Sequence, residues 1–167
     1  NGGGLLVSVP DASFTESNYS IAMDVNFSTV TGYRKLIDFF DMNDDDGFYF
    51  NTSYLTLYYG GNNLGSTALN ANTFYTILMT RNGIDDTARA YVVQNNSLLY
   101  ECKVKDLSAK YTATLVGTDR KLGFFHDDCC SEYPDSGAVR SIRIWNGIVN
   151  INDVCNGVAN YTMTPSN

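Results

Sequence analysis

Hydrophobic and polar residues alternate along most of this chain with a period of two. In YSIAMDVNFS the side chains of Tyr19, Ile21, Met23, Val25 and Phe27 share one face. Ser20, Asp24, Asn26 and Ser28 fall on the other, where Ala22 is the one apolar interruption. Successive side chains of an extended chain point to opposite faces, so the pattern predicts a half-buried antiparallel strand. RKLIDFF, GFYFN, YLTLYY, TFYTILMTR, ARAYVV, SLLYECKV, KLGFFHD and VRSIRIWNG read the same way. Between them lie NDDDG, GGNNLG, RNGIDD and QNNS, rich in residues that tolerate turn backbone. No segment carries the 3.6-residue period of an amphipathic helix, and only NINDVCNG predicts a helical turn.

Many short strands with turns between them predict an all-β fold, an antiparallel two-sheet sandwich of the jelly-roll kind. The chain of 167 residues suits one domain. We place that domain at 1–157, with the polar residues 158–167 as a tail or linker. The apolar stretch GLLVSVP reads as a strand that pairs with its own sheet or adds to an open edge of a neighbouring subunit. The sequence opens on NGGGLL without Met, as a processed product or a piece of a longer protein would.

YRKLIDFFDMNDDDGFYFNTSYLTLYYGG resembles the strand–loop–strand unit of laminin-G-like jelly rolls in the concanavalin A-like lectin/glucanase superfamily. TRNGIDDTARAYVVQNNSLLYE is similar to that family's central hairpin, and LGFFHDD with DSGAVRSIRIWNGIVNINDV to its closing strands and following turn. The three occur in the family's order between Tyr33 and Val154, and the resemblance as a whole covers roughly Tyr19 to Val154. The resemblance implies two curved antiparallel sheets packed face to face, the concanavalin A-like arrangement.

Charge narrows the partners. With 11 Lys and Arg against 18 Asp and Glu the net charge is −7, so no basic surface is expected for nucleic acid or for an anionic membrane. No apolar run reaches the length of a membrane-spanning helix. Four cysteines and five N-x-[ST] sequons, at Asn18, Asn26, Asn51, Asn95 and Asn160, together predict an extracellular, secreted or cell-surface glycoprotein.

HDDCC gathers the only histidine with two aspartates and two cysteines. Zinc sites favour spaced pairs such as C-x-x-C, and adjacent cysteines on an extended chain diverge, so His126, Cys129 and Cys130 do not read as zinc ligands. The expectation is two disulfides, either Cys102–Cys129 with Cys130–Cys155 or Cys102–Cys130 with Cys129–Cys155. No nucleophile elbow accompanies His126, which reads as a strand residue rather than a base.

Glycoside hydrolysis needs two positioned carboxylates. Laminarinase-like members of the resembled superfamily carry E-x-D-x-x-E, whereas Glu16, Glu101 and Glu132 belong to no such motif. The chain is therefore read as a non-enzyme, with a non-standard carboxylate pair as the enzymatic alternative. DMNDDDG concentrates carboxylates at Asp41, Asp44, Asp45 and Asp46, a candidate calcium loop that lacks the EF-hand register. No other cofactor is expected. Trp145, off the core alternation, and Tyr58 and Tyr133 are candidates for stacking on sugar rings. The reading is a non-catalytic adhesion or structural assembly module, in contact with neighbouring subunits, as a homo-oligomer or filament, or with matrix or surface glycans. A calcium-dependent glycan-binding lectin is the alternative.

Overall fold

The computed structural model describes residues 4–8, 17–39, 47–51, 54–58, 68–108, 121–126, 136–157 and 163–164; for 55–58, 121, 163 and 164 it describes the backbone alone. The strands are β1 (Leu5–Ser8), β2 (Tyr19–Phe27), β3 (Tyr33–Asp38), β4 (Gly47–Asn51), β5 (Tyr54–Tyr58), β6 (Phe74–Asn82), β7 (Thr87–Gln94), β8 (Ser97–Lys105), β9 (Lys121–Phe124), β10 (Gly137–Asn146), β11 (Ile148–Val149) and β12 (Met163–Thr164). One short helix, α1 (Ile151–Cys155), falls where NINDVCNG predicted a helical turn.

These strands form the expected antiparallel two-sheet sandwich. One sheet runs β1-β9-β3-β4-β5, the other β10-β2-β6-β7-β8, and β11 pairs with β12. The N-terminal strand pairs within its own sheet, with Leu5 opposite Phe124 and Ser8 opposite Lys121. Between the sheets the inward positions of β2 meet Phe48, Phe50, Leu122 and Phe124, all buried. Phe27 and Phe50 bring their rings to 4.9 Å across the interface. Each such side chain contributes about 1.5–3 kcal/mol by leaving water.

The second sheet also carries apolar residues on its outward face. Ala22, Leu78 and Val93 form a separate buried cluster with Val149 of β11 and Val154 of α1. This explains Ala22: its polar-side position lies beneath a cap. Ser20 anchors that cap, its Oγ donating to the Gly147 carbonyl at 2.7 Å and accepting from Val149 N at 2.9 Å. Gly147 turns the chain at φ 123°, a backbone state that side chains disfavour. Asn150 then caps α1, its side chain accepting from Asn152 N at 3.0 Å.

Two buried ion pairs anchor the middle strands of this frame, β6 and β3. Arg81 Nε donates to Asp106 Oδ2 at 2.8 Å with both side chains buried, and Arg81 Nη1 donates to the Ser17 carbonyl at 2.8 Å. Lys35 Nζ donates to Asp38 Oδ2 at 2.8 Å, with neither side chain exposed. Gly47 leaves room for that pair, since a Cβ there would lie 3.1 Å from Lys35 Cε and 2.8 Å from the Ile37 carbonyl oxygen. No helix among the described residues is long and apolar enough to cross a membrane.

Candidate functional site: a cleft on the outer face of the second sheet

Asp24 is the only charged residue of β2 and points to the outward face. Its direct cross-strand neighbours are Thr76 on β6 and Ser141 on β10. Thr76 Oγ1 donates to Asp24 Oδ1 at 2.6 Å and Ser141 Oγ donates to Oδ2 at 2.7 Å. Arg143 Nη2 lies 3.6 Å from the same Oδ2. The carboxylate is thus held by two neutral donors and a cation before any ligand arrives.

One residue further, β10 breaks register. Val139 faces Val25 and Ser141 faces Asp24, which leaves Arg140 as an extra residue in a bulge. Bulges re-aim side chains, and here the Arg140 guanidinium carbon lies 3.6 Å from the ring centroid of Phe74. No carboxylate among the described residues pairs with this guanidinium. Its in-plane N–H groups stay available because stacking uses only the face of the group.

The cleft runs from this bulge, past Asp24 and Thr76, to the end of β7 and its turn, where Gln94 and Asn95 close it. Its volume is about 140 Å³. That is well below the roughly 300–1,000 Å³ of enclosed ligand sites and suits one small polar group at a time. Asn95 and Asn96 form the two-residue hairpin loop between Gln94 and Ser97, both with positive φ, 49° and 62°. Asn adopts that conformation more readily than most residues, which is why QNNS makes the turn. Arginine, amide and hydroxyl groups around a single engaged carboxylate suit recognition of a hydroxyl-rich, negatively charged group.

Of the residues singled out in the sequence for sugar or calcium, only Trp145 and the backbone of Tyr58 fall within the described residues. Trp145 faces outward opposite Ser20, but it is half-buried and packs against the cluster beneath the cap, away from the cleft. Tyr58 ends β5, where the backbone alone is described, and Tyr133 lies outside the described residues. Asp41, Asp44, Asp45 and Asp46 also lie outside them. Among the described residues no three His, Cys, Asp or Glu side chains converge as a metal-binding group. Glu101 pairs with Arg89 at 2.7 Å on the outer face, and Glu16 and Glu132 lie outside the described residues.

Cys102 and Cys155 are free thiols in this structure, and Cys129 and Cys130, the partners expected for them, lie outside the described residues. Cys102 faces the inner core and Cys155 packs against the cap cluster, on opposite faces of one sheet. Burial pushes the Cys102 thiol up to about 12. His126 follows β9, its Nδ1 buried without a hydrogen-bond partner among the described residues. Of the sequon asparagines, Asn18, Asn26 and Asn51 are half-buried, Asn95 is exposed, and Asn160 lies outside the described residues.

The cleft itself was not foreseen. Asp24, alone among the uncharged residues of its strand, was the one signal; Phe74 and Arg140 gave none, because a bulge leaves no mark in the alternation of VRSIRIWN.

No protein-family model and no curated protein matches the chain. Solved structures do match its fold. The binding domain of botulinum neurotoxin serotype D aligns over 95% of this chain at 15% identity, with a TM-score of 0.58. A carbohydrate-binding protein of Bacteroides ovatus, described as putative, aligns over 91% at 12% identity, with a TM-score of 0.62. The CBM40 of the Ruminococcus gnavus IT-sialidase, bound to α2,3-sialyllactose, aligns over 95% at 9% identity, with a TM-score of 0.61. The chain spans 41% and 44% of the first two structures and 93% of the third. At these identities the likeness defines the class of fold, a two-sheet antiparallel β-sandwich.

Proposed function

We propose that this chain is a non-catalytic carbohydrate-binding module of an extracellular adhesive protein, and that the Asp24–Arg140 cleft holds an acidic sugar. The observation that carries this reading is Arg140: a guanidinium stacked on Phe74 with no carboxylate partner among the described residues, at the mouth of a small polar cleft. In a chain of net charge −7, such a group is a local exception that favours a carboxylate or sulfate. Gln94, Asn95 and Thr76 supply donors and acceptors for ring hydroxyls. A shallow, weak subsite suits adhesion, where many copies act together.

The similarity to a sialyllactose-bound module and to a carbohydrate-binding protein supports the reading, as does the resemblance to laminin-G-like jelly rolls. One carboxylate lines the cleft, whereas hydrolysis by the usual route needs two, which favours binding over turnover. The N-terminal strand already pairs with β9, so a glycan contact has more support than assembly through that strand.

Titration calorimetry with 3′-sialyllactose, a uronic-acid oligosaccharide and neutral lactose tests it. Saturable binding of an acidic sugar, lost in Arg140→Ala and weaker for lactose, is expected; equal heats for lactose and the acidic sugars would remove the reading.

A further inference from the structure

Sequons mark where an oligosaccharide can be attached, but the folded backbone decides which asparagine can carry one. The four sequons within the described residues differ sharply. Asn18 has its Oδ1 fully buried and without a hydrogen-bond partner, in the stretch that Arg81 holds through the Ser17 carbonyl. Asn26 is half-buried in a central strand, flanked by Ala138 on one side and Phe74 on the other. Asn51 is half-buried at the end of β4, between Tyr33 and Tyr54. Asn95 alone among them is exposed, at the tip of a two-residue hairpin loop, with φ of 49°. Its hydroxyl residue, Ser97, is exposed at the start of β8.

Asn95 is also a wall of the Asp24–Arg140 cleft. We infer that Asn95 is the N-glycosylated residue of this face, and that the attached glycan covers the cleft and regulates its access to external sugars. The second half of this inference rests on the cleft being the glycan site proposed above.

The attachment chemistry is ordinary. The Asn95 side-chain amide nitrogen forms a bond to the anomeric carbon of an oligosaccharide carried on a polyprenyl diphosphate. The bond from that carbon to the diphosphate oxygen breaks, the diphosphate leaves with the bonding pair, and the amide nitrogen gives up one proton. The first sugar ring then stands on the cleft's rim. A group tethered at this distance competes at an effective concentration in the millimolar range, enough to exclude ligands that bind a small open site weakly. Displacement of the tethered chain by a multivalent surface, or its absence on unmodified copies, opens the cleft.

The test compares the chain secreted from a glycosylating eukaryotic cell with the same chain made in bacteria, and with Ser97→Ala secreted from the same cell. Ser97→Ala deletes the sequon without touching the cleft lining or the turn's asparagines. Peptide mass mapping reads occupancy and calorimetry with 3′-sialyllactose and a uronic-acid oligosaccharide reads binding. The expected result is glycan on Asn95 and binding at least tenfold weaker in the secreted parent than in both the bacterial chain and Ser97→Ala. An unmodified Asn95 overturns the assignment, and an occupied Asn95 with equal affinities overturns the gating. If the unglycosylated chain binds neither sugar, the function proposed for the cleft fails and the gating with it, while mass mapping still decides the site of attachment.

Discussion

Arg140 and Phe74 meet across the second sheet because β10 carries one residue more than β2 at that point. The guanidinium carbon rests 3.6 Å from the ring centroid, although β2 lies between the two strands concerned. The bulge is what lets an edge-strand arginine reach over its neighbour to an aromatic on β6.

This pair gives the first prediction. Arg140→Ala should lower affinity for an acidic sugar at least tenfold, and Arg140→Lys should restore little of it, because an ammonium neither stacks nor offers a planar fork of donors. Arg140 is exposed, so melting temperature should stay within about 2 °C. Calorimetry alongside thermal unfolding checks both; a lysine variant that binds as well as the parent would exclude bidentate contact.

Gly137 opens β10, and any Cβ there would collide with the Asn26 carbonyl oxygen on the adjacent β2. Gly137→Ala should separate the two strands ahead of the bulge and destabilise the fold by about 1–3 kcal/mol. Acidic-sugar binding should weaken with it, because Arg140 loses its position. Urea unfolding measures the first effect; a stability unchanged within error would contradict this packing.

The buried Arg81–Asp106 pair supports a double-mutant cycle. Asp106→Leu alone leaves a buried guanidinium without its main partner and should cost about 3–5 kcal/mol, whereas Arg81→Met with Asp106→Leu together should cost clearly less than the sum of that loss and the loss in Arg81→Met alone. Additive losses measured by chemical denaturation would show that the two charges do not depend on each other.

Alkali should weaken the fold in a defined window. Burial raises the ionisation of Cys102 from 9.0 to about 12, and burial likewise raises Tyr19 and, less completely enclosed, Tyr91. Each of these groups holds its proton more tightly when folded. Their contribution is therefore fully present below the unfolded values, near 9 and 10, and is lost as pH rises towards the folded ones. Urea midpoints should be flat to about pH 9 and then fall, less steeply between 9 and 12 in Cys102→Ala. Native Cys102 should resist iodoacetamide at pH 8 and react in urea. Recovery of Cys102 bridged to Cys129 or Cys130 would replace this account with the disulfide expected from the sequence.

Much of the architecture was legible in order and type. The alternation of Tyr19 to Phe27 marks a strand whatever surrounds it, because a pleated backbone has only two faces and water rejects one of them. QNNS marks a turn because two consecutive positive-φ positions suit few residues. The single helical turn was readable near NINDVCNG, where Asn150 supplies the cap.

The candidate site was decided only by tertiary structure. Asp24 and Thr76 are 52 positions apart and Asp24 and Ser141 117 apart, so nothing local foretells that they share a carboxylate. Ala22 looked like a lapse in the alternation until β11 and α1 folded over it. Trp145 was correctly read as outward, yet outward there means under the cap. By itself the sequence determined which segments are strands and which way their side chains alternate, since both follow from backbone geometry and burial. Which strands lie side by side, where the register slips, and hence which polar groups meet in the cleft depend on long-range packing that no short stretch contains.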